Sequence, residues 1–151
     1  MLPKSGFSLA KIINSTPPVR IELSSFVKIT DIRVGTSRTS GKVRIVAKTR
    51  SEGKESDRLH YSSMLEIHGS GRVRLSCSCD DFMYRWEYAL FIRDGAQILY
   101  GNGEPPVDTN PRMKPGCCKH LIALIFLAKK RQIVKWISIR AHIVPPVPFK
   151  I

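Results

Sequence analysis

Three cysteines and a histidine carry the chemistry available to this chain of 151 residues. Cys77 and Cys79 stand as C-x-C, and Cys118 and His120 stand as C-x-H. Three thiolates and an imidazole suit Zn²⁺, which takes tetrahedral sulfur and nitrogen ligands. Four protein ligands close the coordination sphere, so one such ion is structural rather than catalytic. Cys117 is the odd thiol. The C-x-H spacing needs Cys118, which leaves Cys117 as a buried structural residue. A disulfide from Cys77 or Cys79 to Cys117 or Cys118 is the competing use. It is the weaker reading, because three of the four cysteines have metal-ligand spacing.

These residues converge only if the elements around them deliver them together. Arg72 to Cys77 alternates with period two, as a half-buried strand does. On that period Cys77 and Cys79 share a face with Val73 and Leu75, while Arg72, Arg74 and Ser76 point away. Residues two apart on a helix lie on nearly opposite faces. Cys118 and His120 can therefore meet only if Cys118 is at or before the first turn. Pro115-Gly116 upstream and the apolar run from Leu121 downstream place a helix start there. The positive end of that helix also favours thiolate.

The remainder predicts an α+β fold in a single domain spanning 1–151. Residues 1–18 are an N-terminal arm, in which Phe7, Leu9, Ile12 and Ile13 suggest a short amphipathic turn or helix closed by Thr16-Pro17-Pro18. Residues 19–76 read as an antiparallel β meander of about four strands, and 77–139 as the zinc unit. Residues 140–151 form a proline-rich, polyproline-like tail. Phe26 to Val34 is the first strand and Gly35 to Gly41 a turn. Lys42 to Arg50 alternates next, with Lys42, Arg44, Lys48 and Arg50 on one face and Val43, Ile45 and Ala47 on the other. After a charged loop at 51–57, Arg58 to His68 turns Leu59, Tyr61, Leu65 and Ile67 inward. Asp80 or Asp81 can cap a helix beginning at Phe82, with Phe82, Trp86, Ala89 and Leu90 on one face and Gly95 ending it. Ala96 to Tyr100 suggests a short strand, and Gly101 to Gly116 a long loop. The last helix is expected from Lys119 to Ile139. It is apolar all round in its first half, so buried, with a basic end.

Cys77-Ser-Cys79 and Cys118-Lys-His120 followed by Leu-Ile-Ala-Leu resemble the SWIM zinc finger. The resemblance implies a ββα zinc unit that binds DNA or protein. The gap between Cys79 and Cys118 is longer than usual for that family. The run Asp80-Asp81-Phe82-Met83-Tyr84-Arg85-Trp86-Glu87-Tyr88, with Asn110-Pro111 before Gly116 to His120, resembles a variant common among bacteriophage proteins. It implies a virion or head-associated component that contacts other protein subunits.

A net charge of +13 points to a polyanionic partner, nucleic acid first. Lys42, Arg44, Lys48, Arg50, Arg72 and Arg74 form a face of strand cations that would track phosphates with little sequence preference. The bland alternative is a solvated face that keeps the sheet from aggregating. His60 and His68 read as strand-surface histidines, and His142 has no partner spacing. The cysteines are better used on metal than as nucleophiles, and no phosphate-binding glycine loop appears, so an enzyme is not expected. No signal peptide is visible, and the longest apolar run is far shorter than the roughly 20 residues of a membrane helix. Synthesis inside the cell, with no membrane partner, is the expected setting. An accessory factor in recombination or transcription and a protein-interaction adaptor are the competing functions.

Overall fold

The computed structural model describes residues 6–37, 39–51, 60–131 and 133. Its sheet holds β1 (Phe7–Ser8), β2 (Val27–Thr36), β3 (Val43–Ser51), β4 (Tyr61–Ile67) and β5 (Arg72–Cys77). The last four form the antiparallel meander that their alternation predicts. β1 was not expected. It pairs with the outer edge of β5, Phe7 opposite Val73, giving the order β1-β5-β4-β3-β2. A two-residue strand has no periodicity to read, and its partner lies far along the chain.

One sheet face is the core face. Ile45, Ala47, Leu65, Ile67, Val73 and Leu75 are all buried there. Among the inward positions named from sequence, Val43 and Tyr61 are half-buried, and Leu59 lies outside the described residues. On the opposite face Arg44, Val46 and Lys48 are exposed, as the alternation requires. The β2–β3 register shifts between Thr30 and Arg33, and Asp31 has φ 51°. Aspartate tolerates this left-handed region better than most residues. The extra residue turns Arg33 to the same outer face as Lys28 and Thr30, opposite Val46.

Five helices complete the described chain. α1 (Leu9–Ser15) is the amphipathic element expected in the N-terminal arm; Ser8 Oγ caps it by accepting from Lys11 N–H. α2 (Pro18–Ser24) corrects the expectation that β structure begins at Val19. Proline at the first helical position lacks only an N–H that would be unsatisfied anyway, so Pro18 opens a second helix directly after Thr16 has closed α1.

The helix expected from Phe82 to Gly95 is two short ones, α3 (Asp80–Arg85) and α4 (Glu87–Phe91), divided at Trp86. Trp86 N–H still donates to Phe82 O at 2.9 Å, and Leu90 N–H to Trp86 O at 2.9 Å. The helical phase therefore survives the break, and Phe82, Trp86, Ala89 and Leu90 are all buried. The cap of α3 is Cys79 rather than either aspartate. The strand expected at Ala96 to Tyr100 does not form. One backbone bond, Leu75 N–H to Gly95 O at 2.9 Å, replaces a ladder.

α5 (Lys119–Lys130) begins where its apolar run predicts, and every residue from His120 to Ala128 is buried. It packs against α2 and against β2, β3, β4 and β5. An all-apolar helix must be covered on every side, and the sheet and α2 together do this. Arg131 is its C-cap. The helix expected on to Ile139 thus ends earlier. Residues 134–139 and the tail at 140–151 lie outside the described residues, as do the loop at 52–57 and His142.

Candidate metal centre

Cys77 ends β5 on its core face, beyond Val73 and Leu75. Cys79 is already past the strand, with extended backbone, as the N-cap of α3; its Sγ accepts from Phe82 N–H at 3.4 Å. Cys118 is the N-cap of α5, also extended, and His120 is in the first turn. An extended cap followed by helix lets residues two apart turn the same way. The ligand atoms of Cys77, Cys79, Cys118 and His120 all lie within 4.8 Å of one another, and all four residues are buried. Around a tetrahedral ion with bonds of about 2.3 Å, sulfurs are separated by about 3.8 Å. A small contraction of this cluster reaches that geometry.

The imidazole gives a second test of fit. His120 Nδ1 is buried without a hydrogen-bond partner, while Nε2 lies 3.2 Å from Ser51 Oγ. If Nε2 carries the proton and donates it to serine, Nδ1 presents a lone pair to the thiols. A buried polar atom without a partner is costly, and a metal ion would satisfy it. The residues present therefore fit a single metal ion.

The sequence reading missed the residues that hold the ligands. Ser63, inward on β4, has its Oγ 3.4 Å from Cys77 Sγ and 3.0 Å from Thr49 Oγ1 on β3. The Tyr61 ring lies 4.8 Å from that of His120, tilted by 49°. Burial pushes the Tyr61 hydroxyl pKa up, and the negative charges of Cys79, Asp80 and Cys77 add to the shift. The available signal was a set of hydroxyls at inward positions of alternating strands: Thr49 and Ser51 in phase with Ile45, and Ser63 in phase with Leu65.

The thiols share protons unequally. Hydrogen bonds from Cys118 and Cys79 hold Cys77 well below the ordinary thiol range. Burial and the bonds to Cys77 and Cys79 push Cys118 well above it. Cys118 lowers Cys79, but its bond to Cys77 and burial outweigh this, and Cys79 rises. Binding a cation as three thiolates must release the remaining protons, so affinity falls as pH falls. Cys117 is buried, as expected. Its N–H donates to Thr16 Oγ1 at 3.1 Å, fastening the entry to α5 onto the end of α1.

Asp80 is exposed, whereas Asp81 carries a role that sequence did not show. It receives a forked pair of bonds from Arg20 on α2, at 2.8 and 3.0 Å. Both Arg20 and Arg85 stack 5.6 Å from the Trp86 ring. The bond to Asp81 holds the Arg20 pKa above its usual range against the effect of burial, and the charges of Cys118 and Cys79 add to it. One cation therefore stands where a three-thiolate site would leave excess negative charge.

The six strand cations are not equivalent. Glu66, on the outer face yet 2% exposed, accepts from Arg44 at 2.6 and 2.9 Å and lies 3.5 Å from Lys42 Nζ. Burial raises its pKa, but Arg44, Lys42 and His68 outweigh that and hold it below the usual carboxylate value. Arg74 bonds to Asp94 at 2.6 Å. Gln97 and Leu99 line a cleft with Met64, Glu66, Arg74 and Ser76. That cover explains why Ser76, on the outer face, is buried. Lys48 and Arg72 are exposed, and Arg50 is half-buried. His60 is exposed, and His68 lies 3.0 Å from Glu66.

No helix among the described residues is long and apolar enough to cross a membrane. No protein-family model, curated protein or solved structure matches this chain.

Proposed function

We propose that this chain is a non-enzymatic, zinc-stabilised basic module that binds nucleic acid through its phosphate backbone. The observation carrying this reading is a closed, buried set of three thiols and one unpartnered imidazole nitrogen on the core side of a sheet whose other side presents cations. Zn²⁺ is the ion that such a sulfur-rich tetrahedral set suits best, and four protein ligands leave no position for substrate. The ion would tie the end of β5 to the starts of α3 and α5, fixing the sheet from behind. This arrangement supports a SWIM-like zinc unit, and the resemblance adds a bacteriophage head-associated component as the setting.

The test is a fluorescence titration of a labelled duplex with metal-loaded protein across a salt series. Binding is expected whose affinity falls log-linearly with salt, by about 0.9 per phosphate contact. It should be lost when a chelator removes the ion. Absence of salt-sensitive binding would overturn the nucleic-acid reading and favour the protein-interaction adaptor.

A further inference from the structure

We propose that the β2–β3 half of the outer sheet face is the nucleic-acid surface, with Lys28, Arg33 and Lys48 making the phosphate contacts. This rests on the reading above that the protein binds nucleic acid. It reassigns the surface away from Lys42, Arg44 and Arg74.

The register places the charges. Lys28 stands opposite Arg50, Thr30 opposite Lys48, Arg33 opposite Val46 and Gly35 opposite Arg44. Paired residues point to the same side, so Lys28, Arg33 and Lys48 form one cationic field. Neighbouring strands are about 4.8 Å apart, and same-face residues on one strand about 6.8 Å. Duplex DNA carries one negative charge per about 1.7 Å of axis, far denser than acidic side chains on a folded protein.

Two local features point the same way. The bulge at Asp31 turns Arg33 outward, where its side chain is 81% exposed. Asp31 lies 3.5 Å away, but both groups are open to solvent and such a pair holds weakly. Gly35 is the second feature. Its φ is not positive, and a Cβ there would meet nothing within 4 Å. Neither conformation nor packing requires glycine, which in a strand marks a bulge, a bend or close approach by a ligand or another backbone; the bulge of this strand lies upstream, between Thr30 and Arg33. Toward the start of β3 and across β4 and β5 the charges are already held. Glu66 holds Arg44 and Lys42, Asp94 holds Arg74, and Gln97 and Leu99 border a cleft over β4 and β5.

The experiment compares Lys28→Ala/Lys48→Ala with Arg74→Ala in the metal-loaded full chain, using a labelled duplex and polyglutamate as probes. Removing two contacts should reduce the log–log salt slope by about 1.8. Arg74→Ala should leave the slope unchanged. Lys28→Gln/Lys48→Gln, which keeps most of each apolar stem, should match the alanine pair, and equal metal content and melting temperature verify the fold. Gly35→Glu should weaken binding at least tenfold. A wild-type slope in both lysine pairs, or flattening by Arg74→Ala to the same degree, would overturn the assignment while leaving nucleic-acid binding in place. Tighter binding to polyglutamate, or no salt-dependent duplex binding by the unaltered protein, would overturn both.

Discussion

Replacing Cys118 with serine should cost the protein its metal and, with it, cooperative folding, whereas Cys117→Ala should cost neither. The two residues are neighbours and both fully buried, so burial does not distinguish them. Geometry does. Cys118 Sγ belongs to the cluster within 4.8 Å, while the Cys117 thiol lies beside Thr16. Metal binding in small zinc units is worth on the order of 10 kcal/mol, comparable to the whole stability of a typical domain at about 5–15 kcal/mol. Losing one of three thiolates should remove most of that contribution. Cys117→Ala removes one buried sulfur and should cost about 1–2 kcal/mol. Thermal melts with metal analysis of both variants check this. Equal melting temperatures, with metal retained in both, would reject the ligand assignment.

Trp86→Ala is expected to be the next most damaging change, although Trp86 is not a ligand. Trp86 is 2% exposed, and Arg20 and Arg85 both lie over its ring. Gly116 rests so closely on the ring that a Cβ there would stand 2.5 Å from Nε1. The chain passing over the indole continues directly through Cys117 to Cys118. Truncating the ring should cost about 3–5 kcal/mol, lowering the melting temperature by about 10 °C or more. It should also loosen the platform under the second half of the ligand set, raising metal off-rates toward a competing chelator about tenfold. Trp86→Phe should recover much of both. Unchanged melting and unchanged metal release in the alanine variant would show that the indole does not support the site.

What the sequence reveals here follows the range of the interactions. Alternation is local, and β2 to β5 fall within a few residues of their expected places. The ligand quartet is legible because its four members bracket a strand end and a helix start. The support around it depends on register. Glu66 is visibly in phase with the outward positions of β4, yet only the pairing Arg44↔Glu66 shows that it neutralises the cations of β3. Likewise the bond between Arg20 and Asp81 spans 61 residues, and no local pattern announces it. α2 shows a different limit. Val19, Ile21 and Leu23 alternate as a strand would, but Pro18 pre-sets a helical first turn and α5 offers a surface to pack on. The bulge at Asp31 is the subtlest case, because one inserted residue decides which face Arg33 serves.

X-ray absorption at the zinc edge of the protein as purified, with elemental analysis, tests the metal centre most directly. One zinc per chain is expected, bound by three sulfurs at about 2.3 Å and one nitrogen at about 2.0–2.1 Å. Less than half an equivalent of metal with Cys77 in a disulfide, or a shell without sulfur, would contradict it.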